Sequence, residues 1–161
     1  MRLLTVVAPG GDEARAEVSG ALVSWTRGLD IRLRFLNIGV EESVVVLEGA
    51  PPGEPPGAAL ASVEEALWRS RPAVLLLHGR GPAALAACVS AGKAGVPVVR
   101  TAGGLRDGAT ADEDRAADRL SAALLAPGPA ALAALAGEGL PGEPYAPEAA
   151  VRAVIRLQRE S

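Results

Sequence analysis

The hydrophobic residues of this chain fall into short unbroken runs separated by longer stretches of helical spacing, rather than into strict alternation. Leu3 to Val7 and Val74 to Leu77 carry no strongly polar residue except Thr5. A strand of that kind is buried on both faces, which implies a parallel sheet covered by helices on two sides. Elsewhere apolar positions recur three or four residues apart, as at Ala14, Val18, Ala21 and Trp25, where Gly28 is expected to end the helix. The same spacing joins Leu60, Val63 and Leu67, then Ala116, Leu120 and Ala123 or Leu124, then Val151, Val154 and Ile155. Pro82 and Pro147 fit a first helical turn, and Thr110 with Glu113 has capping-box spacing.

Ile31 to Ile38 and Ser43 to Leu47 are rich in β-branched and bulky residues and predict the second and third strands. Leu124 to Pro127 predicts a further short strand, and Ala130 to Ala136 a short helix. The segment from Gly49 to Gly57 holds Pro51, Pro52, Pro55 and Pro56, which lack the donor a helix or central strand requires, so it is expected to be a surface loop. Strands alternating with helices predict one Rossmann-like α/β domain over residues 1–161, with a parallel sheet of five or six strands and helices on both faces. Its centre is Pro72 to Arg106, read as strand, loop, helix and strand.

At 161 residues the chain is about one domain. Apolar residues make up 49% but aromatics only 2%, so the core must be Leu, Val, Ile and Ala, with Trp25, Trp68 and Phe35 as rare large fillers. Few aromatics for base stacking, a net charge of −3 and a pI near 5.2 all argue against a nucleic-acid partner. Cys88 is the single cysteine; it allows no intrachain disulfide and is expected in the core. The apolar start ends at Pro9-Gly10-Gly11 and reads as a strand rather than a signal peptide. The uncharged run from Leu120 to Gly137 is mostly alanine and broken by Pro127-Gly128-Pro129, too weakly apolar to span a bilayer. A cytoplasmic protein is expected.

Candidate chemistry gathers on the predicted strand-end loops. His78 closes an apolar strand and is read either as a structural histidine bonded to a nearby loop or as an acid or base, a role that needs a positioned partner. Arg80 is either an anion ligand at the carboxyl edge of the sheet or a solvated loop residue. Arg100 and Arg106 are expected on the next strand-end loop, converging with Arg80 on one crevice with a locally positive balance. Three guanidinium groups there would form a phosphate or carboxylate site; the alternative pairs each with a carboxylate such as Asp107. Gly10-Gly11 lacks the full dinucleotide spacing and is read as a tight turn. No metal or cofactor is assigned.

The order of motifs resembles the N-terminal domain of the non-hydrolysing UDP-N-acetylglucosamine 2-epimerases, which have the two-domain glycosyltransferase-B architecture. From Pro72 to Arg106 the family's Pro-Asp, apolar strand, His-Gly-Asp-Thr, helix, apolar-Pro-Val and Glu-Ala-Gly-Leu-Arg can be laid on this chain without a gap. Pro56-Gly57-Ala58-Ala59-Leu60 resembles the family's Pro-Gly-Gln-Ser-Leu, and Asp118 with Leu124-Leu125-Ala126-Pro127 its Asp and Leu-Phe-Ala-Pro.

The resemblance implies a nucleotide-sugar isomerase whose chemistry, elimination and re-addition of UDP with proton exchange at C2, needs carboxylates as acid and base. Here the Asp of His-Gly-Asp is Arg80, the Glu of Glu-Ala-Gly-Leu-Arg is Ala102, and the first-loop Arg falls on about Gly11. The family's second domain would follow Val151 to Gln158. The resemblance therefore implies a half-length, non-catalytic relative with no catalytic residue of its own, acting as a homodimer or with another subunit. The alternative is one subunit of a two-chain epimerase or glycosyltransferase, its partner supplying the nucleotide-binding domain and Asp112, Glu113 or Asp114 the base. In either case His78, Arg80, Arg100 and Arg106 would hold a phosphate or nucleotide sugar. Dimers are expected to pack through the small-residue helices Pro82 to Gly95 and Glu148 to Gln158.

Overall fold

The structure, a computed structural model, describes residues 1–33, 40–47 and 57–160, with only the backbone described for 25–33. The described elements run in the order β1 (Arg2–Val7), α1 (Asp12–Leu33), β2 (Glu41–Val46), α2 (Gly57–Ser70), β3 (Val74–His78) and α3 (Pro82–Ala94). They continue with β4 (Val98–Arg100), α4 (Ala111–Leu120), β5 (Ala123–Ala126), α5 (Pro129–Gly137), β6 (Glu143–Pro144) and α6 (Pro147–Glu160). The strands pair in the order β2-β1-β3-β4-β5-β6, every pair parallel. This is the doubly wound α/β domain expected.

The unbroken apolar runs take the centre. β3 is buried throughout, and β1 from Leu3 onward. Because successive side chains point to opposite faces, Leu4, Val6, Leu75, Leu77 and Val98 meet Val63, Leu67, Ala84, Ala87, Cys88 and Ala117 of α2, α3 and α4. Leu3, Val74, Leu76 and Val99 meet Val18 and Leu22 of α1 and Val151, Val154 and Leu157 of α6 on the other side. Full burial of a Leu or Val contributes about 1.5–3 kcal/mol, so these two layers carry the fold. Leu124 and Ala126 pack separately against Ala131 and Leu135 of α5. At the end of α3, Gly95 takes the left-handed conformation and its amide reaches Gly92 O, while Val96 N reaches Ala91 O, which stops the helix before β4. No described helix is long and apolar enough to cross a membrane.

Several expectations are corrected. α1 continues through Gly28 to Leu33, so Ile31 to Leu33 are helical; the rest of the predicted strand, with Phe35, lies outside the described residues. Most of the proline-rich segment, 48–56, lies outside them too, and Gly57 already belongs to α2. Trp68 is no core filler, being 78% exposed. The stripe on α4 is out of phase: Leu120 is half exposed, and the buried side is Asp114, Ala117 and Asp118. Thr110 makes no side-chain cap and donates instead to Asp114 Oδ2 at 2.9 Å. α3 turns Ala83, Ala84, Ala86, Ala87 and Ala91 into the core.

Candidate functional site

In a doubly wound sheet, ligands bind outside the carboxyl ends of the strands, where the strand order reverses. Here the reversal lies between β1 and β3. The two turns that leave these strands are locked together, with Ala8 N donating to His78 O at 2.8 Å and Arg80 N to Pro9 O at 3.0 Å. Gly79 sits at φ +97°, and a Cβ there would lie 2.3 Å from Ala8 O, so only glycine allows the two turns to approach this closely.

His78 is the last residue of β3 and is fully buried. Its Nδ1 lies 2.8 Å from Thr101 Oγ1, whose hydroxyl donates to Leu77 O at 3.3 Å. That chain places the imidazole proton on Nδ1 and leaves Nε2 an acceptor, buried and without a partner, as is Arg15 Nε. Burial, and then the positive charge of Arg15, push the His78 pKa down to about 4. At neutral pH it has no second proton to donate.

The arginines are brought together, but on carboxylates. Arg100, expected on a loop, is the last residue of β4 and is fully buried on the face of the sheet that α4 covers. Its Nη1 donates to Asp114 O at 2.9 Å and to Asp118 Oδ1, and its Nη2 donates to Asp114 Oδ1 at 2.8 Å. Arg80 donates through Nε to Asp114 Oδ2 at 2.9 Å, through Nη1 to Asp107 Oδ1 at 3.0 Å and through Nη2 to Asp107 O at 2.7 Å. Arg106 grips Glu138 bidentately, both contacts at 2.8 Å, and its Nη1 lies 2.8 Å from Asp118 Oδ2. Arg115 adds a contact of 3.3 Å to Glu138 and one of 3.0 Å to Asp112.

The remaining acceptors are filled as well. The Gly81 amide reaches Asp114 Oδ1 at 3.1 Å, and the Gly104 amide reaches Asp118 Oδ2 at 2.9 Å. Burial opposes the charge on Asp114, but the Gly81 amide, the Thr110 hydroxyl and the Arg100 and Arg80 guanidiniums together hold its carboxyl below the usual range. Hydrogen bonds from Arg106, against some desolvation, hold Glu138 down at about 2. The acidic run at the start of α4, expected as the base of a two-chain enzyme, thus anchors arginines through Asp114. The available signal was Asp114 and Asp118, four residues apart and therefore on one helix face.

A groove of about 320 Å³ remains at this edge, between Glu13, Ala14 and Glu17 of α1, Arg80, Thr101, Ala102, Leu105 and Tyr145. Its acidity was not foreseen. Glu13 and Glu17 stand on its α1 wall, and the Tyr145 hydroxyl donates to Glu17 Oε2 at 2.6 Å. Burial, the Glu17 contact and the charges of Glu13 and Glu148 raise the Tyr145 phenol above its usual range. The expected positive crevice is thus reversed, because the guanidinium charge is cancelled inside the ion-pair network. Among the described residues no group of His, Cys, Asp and Glu is arranged to hold a metal ion.

Fold and edge define a doubly wound α/β domain with its ligand-type crevice narrowed by locked turns. Solved structures of the same fold are UDP-GlcNAc 2-epimerases. That from Methanocaldococcus jannaschii is 21% identical with a TM-score of 0.63, the match covering 88% of this chain and 43% of that one. The enzyme from Neisseria meningitidis, solved bound to UDP-GlcNAc, is 17% identical with a TM-score of 0.66, covering 88% and 44%. The Rickettsia bellii enzyme is 15% identical with a TM-score of 0.62, covering 99% and 48%. The chain thus spans less than half the length of these proteins. No family model matches the chain, and no curated protein sequence does.

Proposed function

We propose that this domain is a non-catalytic relative of the UDP-GlcNAc 2-epimerases, serving as a scaffold in a homo-oligomer or beside a partner subunit. The observation that carries this reading is the saturation of two buried carboxylates and one partly buried one around the sheet's carboxyl edge. Asp114, Asp118 and Glu138 are each held by arginine. A carboxylate so held is a poor general base, because protonating it would break its ion pairs. His78 is neutral and sealed, and Glu13 and Glu17 are exposed beside an acidic groove that repels a diphosphate.

The two-chain enzyme reading needs Asp112, Glu113 or Asp114 as the base. Asp114 is buried and paired, and Asp112 is tied to Arg115 at the surface. The geometry favours the scaffold. Assembly is supported by the outer strand β2, which among the described residues pairs only with β1 and exposes Val44 and Val46. Calorimetric titration with UDP, UDP-GlcNAc and inorganic phosphate tests the crevice. No heat is expected from any of them; binding that is lost in Arg80→Ala and Arg106→Ala would overturn the reading.

A further inference from the structure

At the opposite, amino-terminal edge of the sheet, α2 and α3 diverge around a cleft of about 520 Å³. That is within the size range of small-molecule sites, which are largely apolar with a few placed polar groups. The walls are Leu67 and Trp68 of α2 with Pro72 and Val96 from the segments leading into β3 and β4. Trp68, one of two tryptophans in the chain, leaves its indole 78% exposed beside the cleft. An indole at the mouth of an apolar cleft offers a large flat face for a ligand to pack against.

Polar groups complete the picture. Ser90 lines the cleft from α3, is 1% exposed, and its hydroxyl is buried without a hydrogen-bond partner. The hydroxyl is thus sealed behind the cleft wall rather than open to it. Arg71, also on the cleft, makes no ion pair among the described residues and holds φ at +44°, the one described non-glycine residue with positive φ. The strained backbone fixes where its side chain starts. On the rim Lys93 pairs with Glu64 at 2.6 Å, so the net charge around the cleft is that of Arg71.

We propose that this cleft binds a small organic carboxylate with an apolar body of about one aromatic ring. The body lies against Trp68, Leu67 and Val96, and the carboxylate meets the Arg71 guanidinium. The site is independent of the crevice on the other edge.

The test uses a Trp25→Phe background, so that Trp68 is the only indole, with 3-phenylpropionate, the neutral 3-phenylpropionamide and the cationic phenethylamine as probes. The carboxylate is expected to give a saturable shift of Trp68 emission, with affinity on the order of ten-fold or more above the amide and no saturation by the amine, since a charge-assisted hydrogen bond is lost in each. Arg71→Gln, at an exposed position, should reduce carboxylate affinity to that of the amide. Equal responses to the three probes, no response to any, or full binding by Arg71→Gln would overturn the proposal. So would a mass that doubles with concentration and reverts in Trp68→Ser, which would assign the cleft to a second copy of the chain.

Discussion

The guanidinium of Arg100 lies 2.8 Å from Asp114 Oδ1, and neither side chain has any exposure to solvent. Asp118, equally buried, completes the cluster. Removing Arg100 leaves two fully buried carboxylates with only Arg80 and Arg106 to balance them, a loss of the order of a broken buried pair, about 3–5 kcal/mol. Arg100→Leu should therefore lower stability by that amount in urea unfolding. Breaking the exposed Arg69–Glu65 pair with Arg69→Leu should cost under about 1 kcal/mol. Comparable losses in the two variants would contradict the structural role given to Arg100.

Acid should destabilise the fold in two windows. His78 resists protonation when folded, its pKa falling from 6.5 to about 4, so the unfolded chain takes up the proton first. Stability is full above pH 6.5 and declines as pH drops toward 4. Glu138 is depressed from 4.5 to about 2, so its contribution is full above pH 4.5 and is lost as pH falls through 2. As the chain's one histidine, His78 gives a single set of imidazole NMR signals to follow. A midpoint near 6.5 in the folded protein would refute the first window, and an acid limb unchanged in Glu138→Gln the second.

Gly104 stands at φ +80°, and a Cβ there would lie 2.1 Å from Ala131 O. Both the dihedral and the contact exclude a side chain, so Gly104→Ala should cost more than about 2 kcal/mol by thermal unfolding. It should also loosen the Gly104 amide bond to Asp118 and with it the Arg106 contact. Gly108, also at positive φ but with open space around it, should tolerate alanine better.

If the exposed edge of β2 is an assembly surface, light scattering across a concentration series should report a dimer or larger species. Val46, 61% exposed on that strand, is the position to perturb. Val46→Lys places a charge on the edge and should shift the protein to the monomer. A wild type that stays monomeric at high concentration would remove the support for a homo-oligomer.

Much of this fold was legible because its central unit combines unbroken apolar strands with a helix opened by Pro82. The miss at Ile31 followed from treating Gly28 as a stop. A glycine inside a helix costs only about 1 kcal/mol, less than the burial of Val18 and Leu22 contributes to α1. The site was harder. A charged side chain in the core runs against composition and is stable only with partners, and those of Arg100 lie 14 and 18 residues further along the chain. The loss of carboxylates at Arg80 and Ala102 could be read from motifs; that Asp114 and Asp118 neutralise the arginines required the packing of α4 on the sheet.

The proposal stands on two features of the described residues at this sheet edge: the buried carboxylates are tied to arginine, and Glu13 and Glu17 border a groove too acidic to seat a nucleotide sugar for proton exchange at C2. It is tested most directly by incubating the protein with UDP-GlcNAc in deuterated water and following the sugar C2 position by proton NMR. Neither the epimer nor deuterium at C2 above a protein-free control is expected. Measurable exchange at C2 by the wild type, abolished in Glu13→Gln or Glu17→Gln, would contradict it and assign a catalytic role to the acidic wall of the groove.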